Sequence, residues 1–273
     1  MIDLHQHPGH LGKTIDDILT HMEGLGVRIS VLLPTNRREA EGASMRTEPC
    51  REGARKYPDK FAWFCAPHPE DSDALRKLEG LVEQGACGFG EHKVRLACDD
   101  PRSMAIYNSC GELGVPVLIH FEDANYNTGF ERFETVLKAL PKTTFIGHAQ
   151  TFWANISSAD AGRSDYPKGR VTPGGLTDRW LADYPNLYAD LSAGSGLNAC
   201  ERDEEFYRGF LARHRKKLLF ATDCPCRDGH GAGWEKGICF GEKMLAHLHE
   251  LCESEDAFED ITEGNLKSVL GIA

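Results

Sequence analysis

Eight short apolar runs recur along the chain, and most are separated by segments whose apolar residues follow helical spacing. The runs are MIDLH, RISVLLP, FAWFCAP, GACGFGEHKV, VPVLIHF, TTFIGHA, NLYADLS and KLLFATD. They are apolar throughout rather than alternating, as expected of strands that are covered on both faces. Eight strands, each followed by a helix, is the pattern of a closed barrel rather than an open sheet. The sequence therefore predicts an α/β fold, a (β/α)8 TIM barrel that occupies residues 1–273 as a single domain.

The segments between the runs predict helices and two loops. Helical spacing is found over residues 71–84, 101–113, 130–140 and 203–214. A long polar loop insertion is predicted at about residues 150–175, after the sixth strand, and a Gly- and Cys-rich loop at residues 223–237, after the eighth. Loops of this length on one side of a barrel usually line the site.

Charge and cysteine usage narrow the class of protein. The formal net charge of −11 argues against nucleic acid as a partner, because binding to phosphate backbones draws on basic surface. No apolar run approaches the length of a membrane-spanning helix. The 10 cysteines are scattered and no signal peptide precedes them, so we expect reduced, mostly buried thiols and a cytoplasmic protein. A small-molecule substrate is the expected partner, and a homo-oligomer is compatible with the sequence.

Metal-binding side chains stand at the ends of most predicted strands. They are His5, His7, Glu91, His120, His148 and Asp223. The first two are separated by one residue and therefore point to the same side of a strand. Because the carboxyl ends of barrel strands converge on one face, we expect all these side chains to lie within coordination distance. Imidazole and carboxylate ligands suit zinc, manganese or iron, and the lack of a CxxC pair among the candidates argues against a structural thiolate site.

Substrate contacts are expected from the loops. Cationic residues that could hold a carboxylate or phosphate are Arg95, Arg163, Lys168, Arg170 and Arg227. An apolar wall could be formed by Phe152, Trp153, Tyr166 and Trp234. Cys224 and Cys226 flank Pro225 beside Asp223, but buried cysteines are common and the ligand set is complete without them, so we assign them no role.

The ordered set of motifs resembles the amidohydrolase superfamily, and within it the amidohydrolase-related branch of metal-dependent hydrolases and decarboxylases. The motifs cover essentially the whole chain: DLHQH, GEHK, PVLIHF, FIGHAQ, YADLSAGSG, LLFATDCP and ITEGNLKSVLGI. The resemblance implies a (β/α)8 barrel with His5 and His7 on a first metal. It also implies that Asp223 is a ligand and proton acceptor, and that His120 and His148 are ligands or catalytic groups.

The number of metals depends on Glu91. An acidic residue on the fourth strand resembles the bridging carboxylate of TatD-type hydrolases, in which case a second metal would take His120 and His148. The competing arrangement has one metal, with His148 free to orient water and Glu91 acting as an acid/base or holding a ligand in place. We favour the bridge. Lys93 follows two residues later on the same side, and we expect it to meet an anionic group of the substrate; a carbamylated lysine that bridges two metals is the alternative.

The predicted chemistry follows from this set. A bound metal lowers the pKa of water toward neutrality, and Asp223 can take its proton and pass it to the leaving group, with His148 and Lys93 as further catalytic residues. This predicts a hydrolase of a small anionic ester, lactone, amide or phosphoester that uses one or two divalent metals, zinc being favoured over manganese or iron. The alternative is a mononuclear non-oxidative decarboxylase or hydratase of the same branch. A barrel with a purely structural metal is least favoured, because Asp223 and His148 would then have no task.

Overall fold

A ring of parallel strands forms the centre of the molecule. The computed structural model describes residues 1–37, 45–160 and 164–272. Within these residues the strands are β1 (Ile2–Gln6), β2 (Ile29–Leu32), β3 (Phe61–Trp63), β4 (Phe89–His92), β5 (Val117–His120), β6 (Phe145–His148), β7 (Leu187–Asp190) and β8 (Leu218–Leu219). Each lies inside one of the eight apolar runs predicted as strands, apart from Gln6 at the end of β1.

Two seams close these strands into a barrel. Hydrogen bonds join neighbouring strands in chain order, from β1 through β2 to β3 and from β4 through β5, β6 and β7 to β8. Every pairing is parallel. A parallel bridge between Cys65 and Phe89 joins the β3 side to β4. On the other side, the Leu4 N–H donates to the carbonyl oxygen of Phe220 across 3.1 Å, so β1 meets the end of β8. The predicted (β/α)8 TIM barrel is confirmed.

Helices cover the outside of the barrel. In the described ranges they are α1 (Ile15–Leu25), α2 (Thr47–Lys56), α3 (Ala74–Glu83), α4 (Pro101–Leu113), α5 (Phe133–Ala139), α6 (Gln150–Ala154), α7 (Leu176–Asp183), α8 (Ala193–Glu201), α9 (Glu204–His214), α10 (Phe240–Leu251), α11 (Glu255–Glu259) and α12 (Asn265–Leu270). The four predicted helices correspond to α3, α4, α5 and α9. None of the described helices combines the length and apolar character that crossing a bilayer requires.

Capping residues set the ends of α1. The Thr14 hydroxyl accepts a hydrogen bond from the backbone N–H of Asp17 across 3.1 Å, and the Asp17 carboxylate accepts one from the Thr14 N–H across 2.8 Å. This reciprocal pair satisfies two N–H groups that have no partner inside the helix. The helix ends at Gly26, whose φ of 68° is costly for a residue with a side chain. The residues at which α1 begins and ends are therefore set by its own caps.

The segment after β6 differs from the predicted loop at residues 150–175. Its first residues form α6, because Phe152 and Trp153 are buried in the core and the Trp153 indole N–H donates to the backbone oxygen of Asp190 across 3.0 Å. Helix α7 then begins at Leu176, so the irregular part is shorter than predicted. Residues 161–163 lie outside the described residues.

Two apolar clusters form the core. Leu118 and Ile146 belong to the smaller one, and they precede His120 and His148 by two positions on the same strand faces. This cluster therefore fills the barrel interior beneath the strand ends. The larger cluster lies between the strands and the surrounding helices.

Candidate metal centre

The six predicted ligands lie together at the carboxyl ends of the strands, as the barrel predicts. Five are buried and Asp223 is partly exposed. The Nε2 atom of His7 lies 3.2 Å from Glu91 Oε2 and 3.7 Å from Asp223 Oδ1. His148 Nε2 lies 3.8 Å from Glu91 Oε1 and 3.9 Å from Asp223 Oδ2.

The imidazoles of His5 and His7 face each other with their Nε2 atoms 2.9 Å apart. Each ring is fixed from behind: His5 Nδ1–H donates to Asp190 Oδ2 and His7 Nδ1–H donates to the Leu33 carbonyl oxygen, both across 2.7 Å. A carboxylate and a carbonyl only accept hydrogen bonds, so the proton of each neutral ring is on Nδ1. Both Nε2 atoms then present lone pairs to the same point, which is unfavourable unless a cation or a shared proton lies between them. The arrangement therefore fits a divalent metal.

Two overlapping groups of ligand atoms surround this point. His5, His7 and Asp223 form one, and His5, Glu91 and His148 form the other; in each group the ligand atoms lie within 4.8 Å of one another. Because His5 is shared, both groups outline neighbouring or identical positions for an ion. The donors are imidazole nitrogens and carboxylate oxygens, which suit zinc, manganese and iron.

His120 belongs to neither group. Its Nδ1 lies 2.5 Å from Glu91 Oε1, and its Nε2 lies 3.2 Å from Glu122 Oε2. This hydrogen bond is the largest cause of a Glu122 pKa lowered to about 2, below its ordinary value. The His120 ring is thus held between two carboxylates. Its role as a ligand and the bridging role of Glu91 both stay predictions.

Asp190, at the end of β7, is a residue of this centre that the sequence analysis missed. The side chain is fully buried, and besides His5 it approaches His148, whose Nδ1 is 3.4 Å from Asp190 Oδ2. Burial alone would raise the pKa of the Asp190 carboxyl, but the fields of His148 and His5 outweigh burial and hold that pKa well below its ordinary value. Asp190 therefore stays ionised and orients two imidazoles. The sequence could have indicated Asp190, since it stands at the end of the seventh predicted strand just as the six predicted ligands stand at the ends of other strands.

Asp223 takes a strained backbone conformation directly after β8. Its φ is 41°, in the left-handed region that residues with side chains seldom adopt, and its N–H donates to the His5 carbonyl oxygen across 2.8 Å. Burial would raise the pKa of its carboxyl, but His5, His7 and His148 lower it further than burial raises it. The carboxylate is therefore ionised and directed at the same point as the histidines.

A cleft of about 360 Å³ opens above these residues. Its lining includes Asp223, Lys93, Tyr166 and Trp234. Lys93 thus lies where the sequence predicts it, at the site, with Nζ 3.8 Å from Glu91 Oε1. The apolar wall is confirmed for Tyr166 and Trp234 but wrong for Phe152 and Trp153, which are buried in the core.

A smaller cavity of about 180 Å³ adjoins the cleft through Lys93. Its walls bring together three cationic side chains around one aromatic ring. Arg37, Lys93 and Arg95 lie 5.2, 5.4 and 5.6 Å from the centroid of Tyr126. Arg95 was anticipated from the sequence, whereas Arg37 follows β2 and carries no local signal. Glu70 lines the cavity as well, but the three cations outnumber it, so the lining carries a net positive charge.

The other predicted cationic contacts lie elsewhere. Arg163 falls outside the described residues. Lys168 and Arg170 are exposed, and Arg170 pairs with Glu205 across 3.8 Å. The Arg227 side chain packs near Gly233 rather than lining the cleft.

Comparisons with known proteins agree with this geometry. The family model described as Amidohydrolase matches residues 2–236. No curated protein matches this sequence. Among solved structures, the chain is similar to a probable 2-pyrone-4,6-dicarboxylic acid hydrolase from Acinetobacter baumannii with citric acid bound, at 13% identity, with 99% of both chains covered and a TM-score of 0.67.

Two decarboxylases are similar as well. The 2,6-dihydroxybenzoate decarboxylase from Rhizobium has 14% identity and a TM-score of 0.58, with 99% of this chain and 98% of that chain covered. A dihydroxybenzoic acid decarboxylase from a Polaromonas species, with bound manganese and an inhibitor, has 14% identity and a TM-score of 0.57, with 94% and 85% covered. At these identities the likeness shows the fold.

Proposed function

This chain belongs to the amidohydrolase family, and we propose that it is a metal-dependent hydrolase of a small, carboxylated ester or lactone. Amides and phosphoesters are further substrates that the same chemistry would accept. The observation that carries the proposal is the pair of opposed imidazoles, His5 and His7, which meet beside Asp223, and Asp223 itself lines an open cleft.

The residues divide the work between metal binding and proton transfer. A bound divalent metal supplies a Lewis acid and lowers the pKa of water toward neutrality. Asp223 is ionised and reaches into the cleft, so it can accept a proton from the attacking water and return it to the leaving group. His148 borders the same cleft and is oriented by Asp190 and by the Ser192 hydroxyl, which lies 3.1 Å from His148 Nδ1. It is positioned to hold the water or the carbonyl oxygen.

The cationic cavity supports a carboxylated substrate. Arg37, Lys93 and Arg95 converge there, and Lys93 borders both the cavity and the cleft. A substrate whose scissile group lies near Asp223 can therefore extend an anionic group toward the three cations. The similarity to a 2-pyrone-4,6-dicarboxylic acid hydrolase supports a carboxylated lactone as the first class to test.

A non-oxidative decarboxylase is the second candidate. Two observations favour it. His5 belongs to both ligand groups, and His120 is hydrogen-bonded to Glu91 and Glu122 instead of joining either group. The remaining ligand atoms outline a site for a single ion. The similar decarboxylases support this candidate too.

The two candidates differ in their products, so one experiment separates them. Protein reconstituted with zinc or manganese is incubated in ¹⁸O-labelled water with 2-pyrone-4,6-dicarboxylate and, separately, with 2,6-dihydroxybenzoate. Hydrolysis places ¹⁸O in a new carboxylate without gas release, whereas decarboxylation releases carbon dioxide and leaves the ring unlabelled.

The variant Lys93→Gln tests anion recognition. We expect it to keep its metal and to raise KM for the dicarboxylate more than for the corresponding methyl ester, because only the former presents the full negative charge. Equal effects on both would contradict the assigned role of Lys93. Release of carbon dioxide alone would reject hydrolysis, and no turnover by metal-saturated protein across carboxylated lactones, esters and hydroxybenzoates would reject both candidates.

A further inference from the structure

A second group of metal-ligating atoms lies close to the candidate metal centre and shares no residue with it. His21, Cys224, Cys226 and Cys239 are all buried, and their ligand atoms lie within 4.8 Å of one another. We propose that these four residues bind a structural zinc ion. The inference is independent of the proposed reaction, because the candidate metal centre is built from imidazole and carboxylate groups alone.

Two of the distances between ligand atoms match a tetrahedral zinc site, and a third is shorter. With Zn–S and Zn–N bonds of about 2.3 and 2.05 Å, tetrahedral geometry separates two sulfurs by about 3.8 Å and a sulfur from a nitrogen by about 3.6 Å. The Cys224 and Cys239 sulfurs are 3.8 Å apart, and Cys239 Sγ is 3.5 Å from His21 Nε2. Cys224 and Cys226 are closer, at 3.2 Å, but far from the roughly 2.05 Å of a disulfide. All are free thiols.

Backbone donors point at the sulfurs. The Phe240 N–H donates to Cys224 Sγ and the Glu242 N–H donates to Cys239 Sγ, each across 3.4 Å. Both donors lie in the first turn of α10, where helical N–H groups have no intrahelical acceptor. Such N–H groups stabilise negative charge on sulfur, and zinc is bound by the thiolate rather than the thiol.

A buried ammonium provides the matching charge. Three thiolates and one neutral imidazole around a zinc dication leave one net negative charge. Lys13 is 2% exposed; its Nζ donates to Gln6 Oε1 and to the Cys224 carbonyl oxygen across 2.8 and 2.9 Å. In the described part of the chain no carboxylate forms an ion pair with it; its electrostatic neighbours are the three clustered cysteines and Asp3. A buried lysine with no carboxylate in direct contact is unusual, and the zinc–thiolate group supplies negative charge beside it.

The zinc would tie together three separate segments. His21 lies on α1, Cys224 and Cys226 follow β8, and Cys239 is the N-cap of α10. Helix α1 already lies directly against the loop after β8, since a side chain at Gly24 would meet the Asp228 carbonyl oxygen at 2.1 Å. The tied loop begins one residue after Asp223 and carries Trp234, which lines the cleft. The four ligands are thus positioning residues for one wall of the active site.

Cobalt substitution tests the site, because only sulfur ligands give a thiolate-to-cobalt charge-transfer absorption in the near ultraviolet. We expect the full chain, reconstituted with cobalt, to show this absorption, and the double variant His5→Ala/His7→Ala to retain it together with one tightly bound metal equivalent. Cys226→Ser/Cys239→Ser should lose the absorption and one zinc equivalent. Cys98→Ser, which alters another buried, hydrogen-bonded thiol, is the matched control and should keep both.

Two results would overturn the proposal. One is the absence of thiolate-to-cobalt absorption in the unmutated protein, a measurement that does not depend on whether any variant folds. The other is a thiol titration of the unfolded, chelated protein that finds two fewer than the 10 thiols of the sequence, with peptide mapping that places the missing pair among Cys224, Cys226 and Cys239. Neither result bears on the proposed hydrolysis, which is measured by product formation.

Discussion

Replacing Asp190 with asparagine should weaken metal binding at the candidate metal centre without removing a predicted ligand. Asp190 Oδ1 accepts the Ser192 N–H across 2.7 Å, and Oδ2 accepts the His5 Nδ1–H across 2.7 Å. Asparagine keeps the size of the side chain and, through its oxygen, the bond from Ser192. Its NH₂ group then faces His5 and donates to Nδ1, which moves the imidazole proton to Nε2, where the metal would bind.

The expected loss can be estimated from this change. Partners that orient a metal-binding histidine typically contribute 10- to 100-fold to metal affinity, so Asp190→Asn should weaken zinc binding at this centre by about 1.4–2.8 kcal/mol. The assay is a competition titration with a chromophoric chelator. Asp178→Asn is the matched control, because Asp178 also accepts from a histidine, His214, across 2.6 Å, but on α7 away from the cleft. A change below about threefold in Asp190→Asn, or an equal change in the control, would refute the reasoning.

Three further outcomes are expected. His5→Ala/His7→Ala should lose the metal of the candidate centre and keep the far-ultraviolet circular dichroism of a barrel, because ligand loss at a strand end leaves the core intact; full metal retention at that centre would contradict the assignment. Asp223→Asn should reduce turnover by at least about 100-fold with a smaller effect on metal content, since asparagine tolerates the left-handed backbone but accepts no proton; unchanged turnover would exclude Asp223 as the base. Glu122→Gln should make the free energy of unfolding depend less on pH in the acid range. The pKa of Glu122 is lowered to about 2 in the folded protein from an ordinary 4.5, so its ionisation stabilises the fold above pH 4.5 and that contribution is lost as the pH falls through 2. Urea midpoints measured across this range should fall more steeply in the unmutated protein, and parallel slopes would count against the Glu122–His120 bond.

The sequence predicts the barrel and the proximity of the six candidate ligands because both follow from periodic features. Apolar runs mark the strands, and the position of a residue at the end of a run places it on the functional face. Asp190 satisfies the same criterion. A single apolar run does not reveal which hydrogen bonds its residues make. The bond between His5 and Asp190 depends on the proximity of the ends of β1 and β7 in the folded barrel.

The cysteine cluster could not be predicted in this way. Cys224 and Cys226 form a recognisable pair and Cys239 follows thirteen residues after Cys226, but three thiolates do not complete the proposed site, and nothing near them in the sequence points to His21. Cys239 comes from the start of α10, and His21 comes from a helix that lies about two hundred residues earlier. Only the closure of the barrel between β1 and β8 brings these segments together. A CxxC pair is therefore not needed for four such ligand atoms to come together.

The contact between Gly24 and the Asp228 carbonyl has a consequence for how this region can change over evolutionary time. Helix and loop fit only while position 24 lacks a side chain, and the ligands are useful only as a complete set. A lineage that loses one cysteine gains nothing by retaining the others, and it is then free to fill position 24 and to shorten or lengthen the loop. His21, Gly24 and the three cysteines should accordingly be inherited together or lost together, which would divide related barrels into two groups that their sequences alone can distinguish.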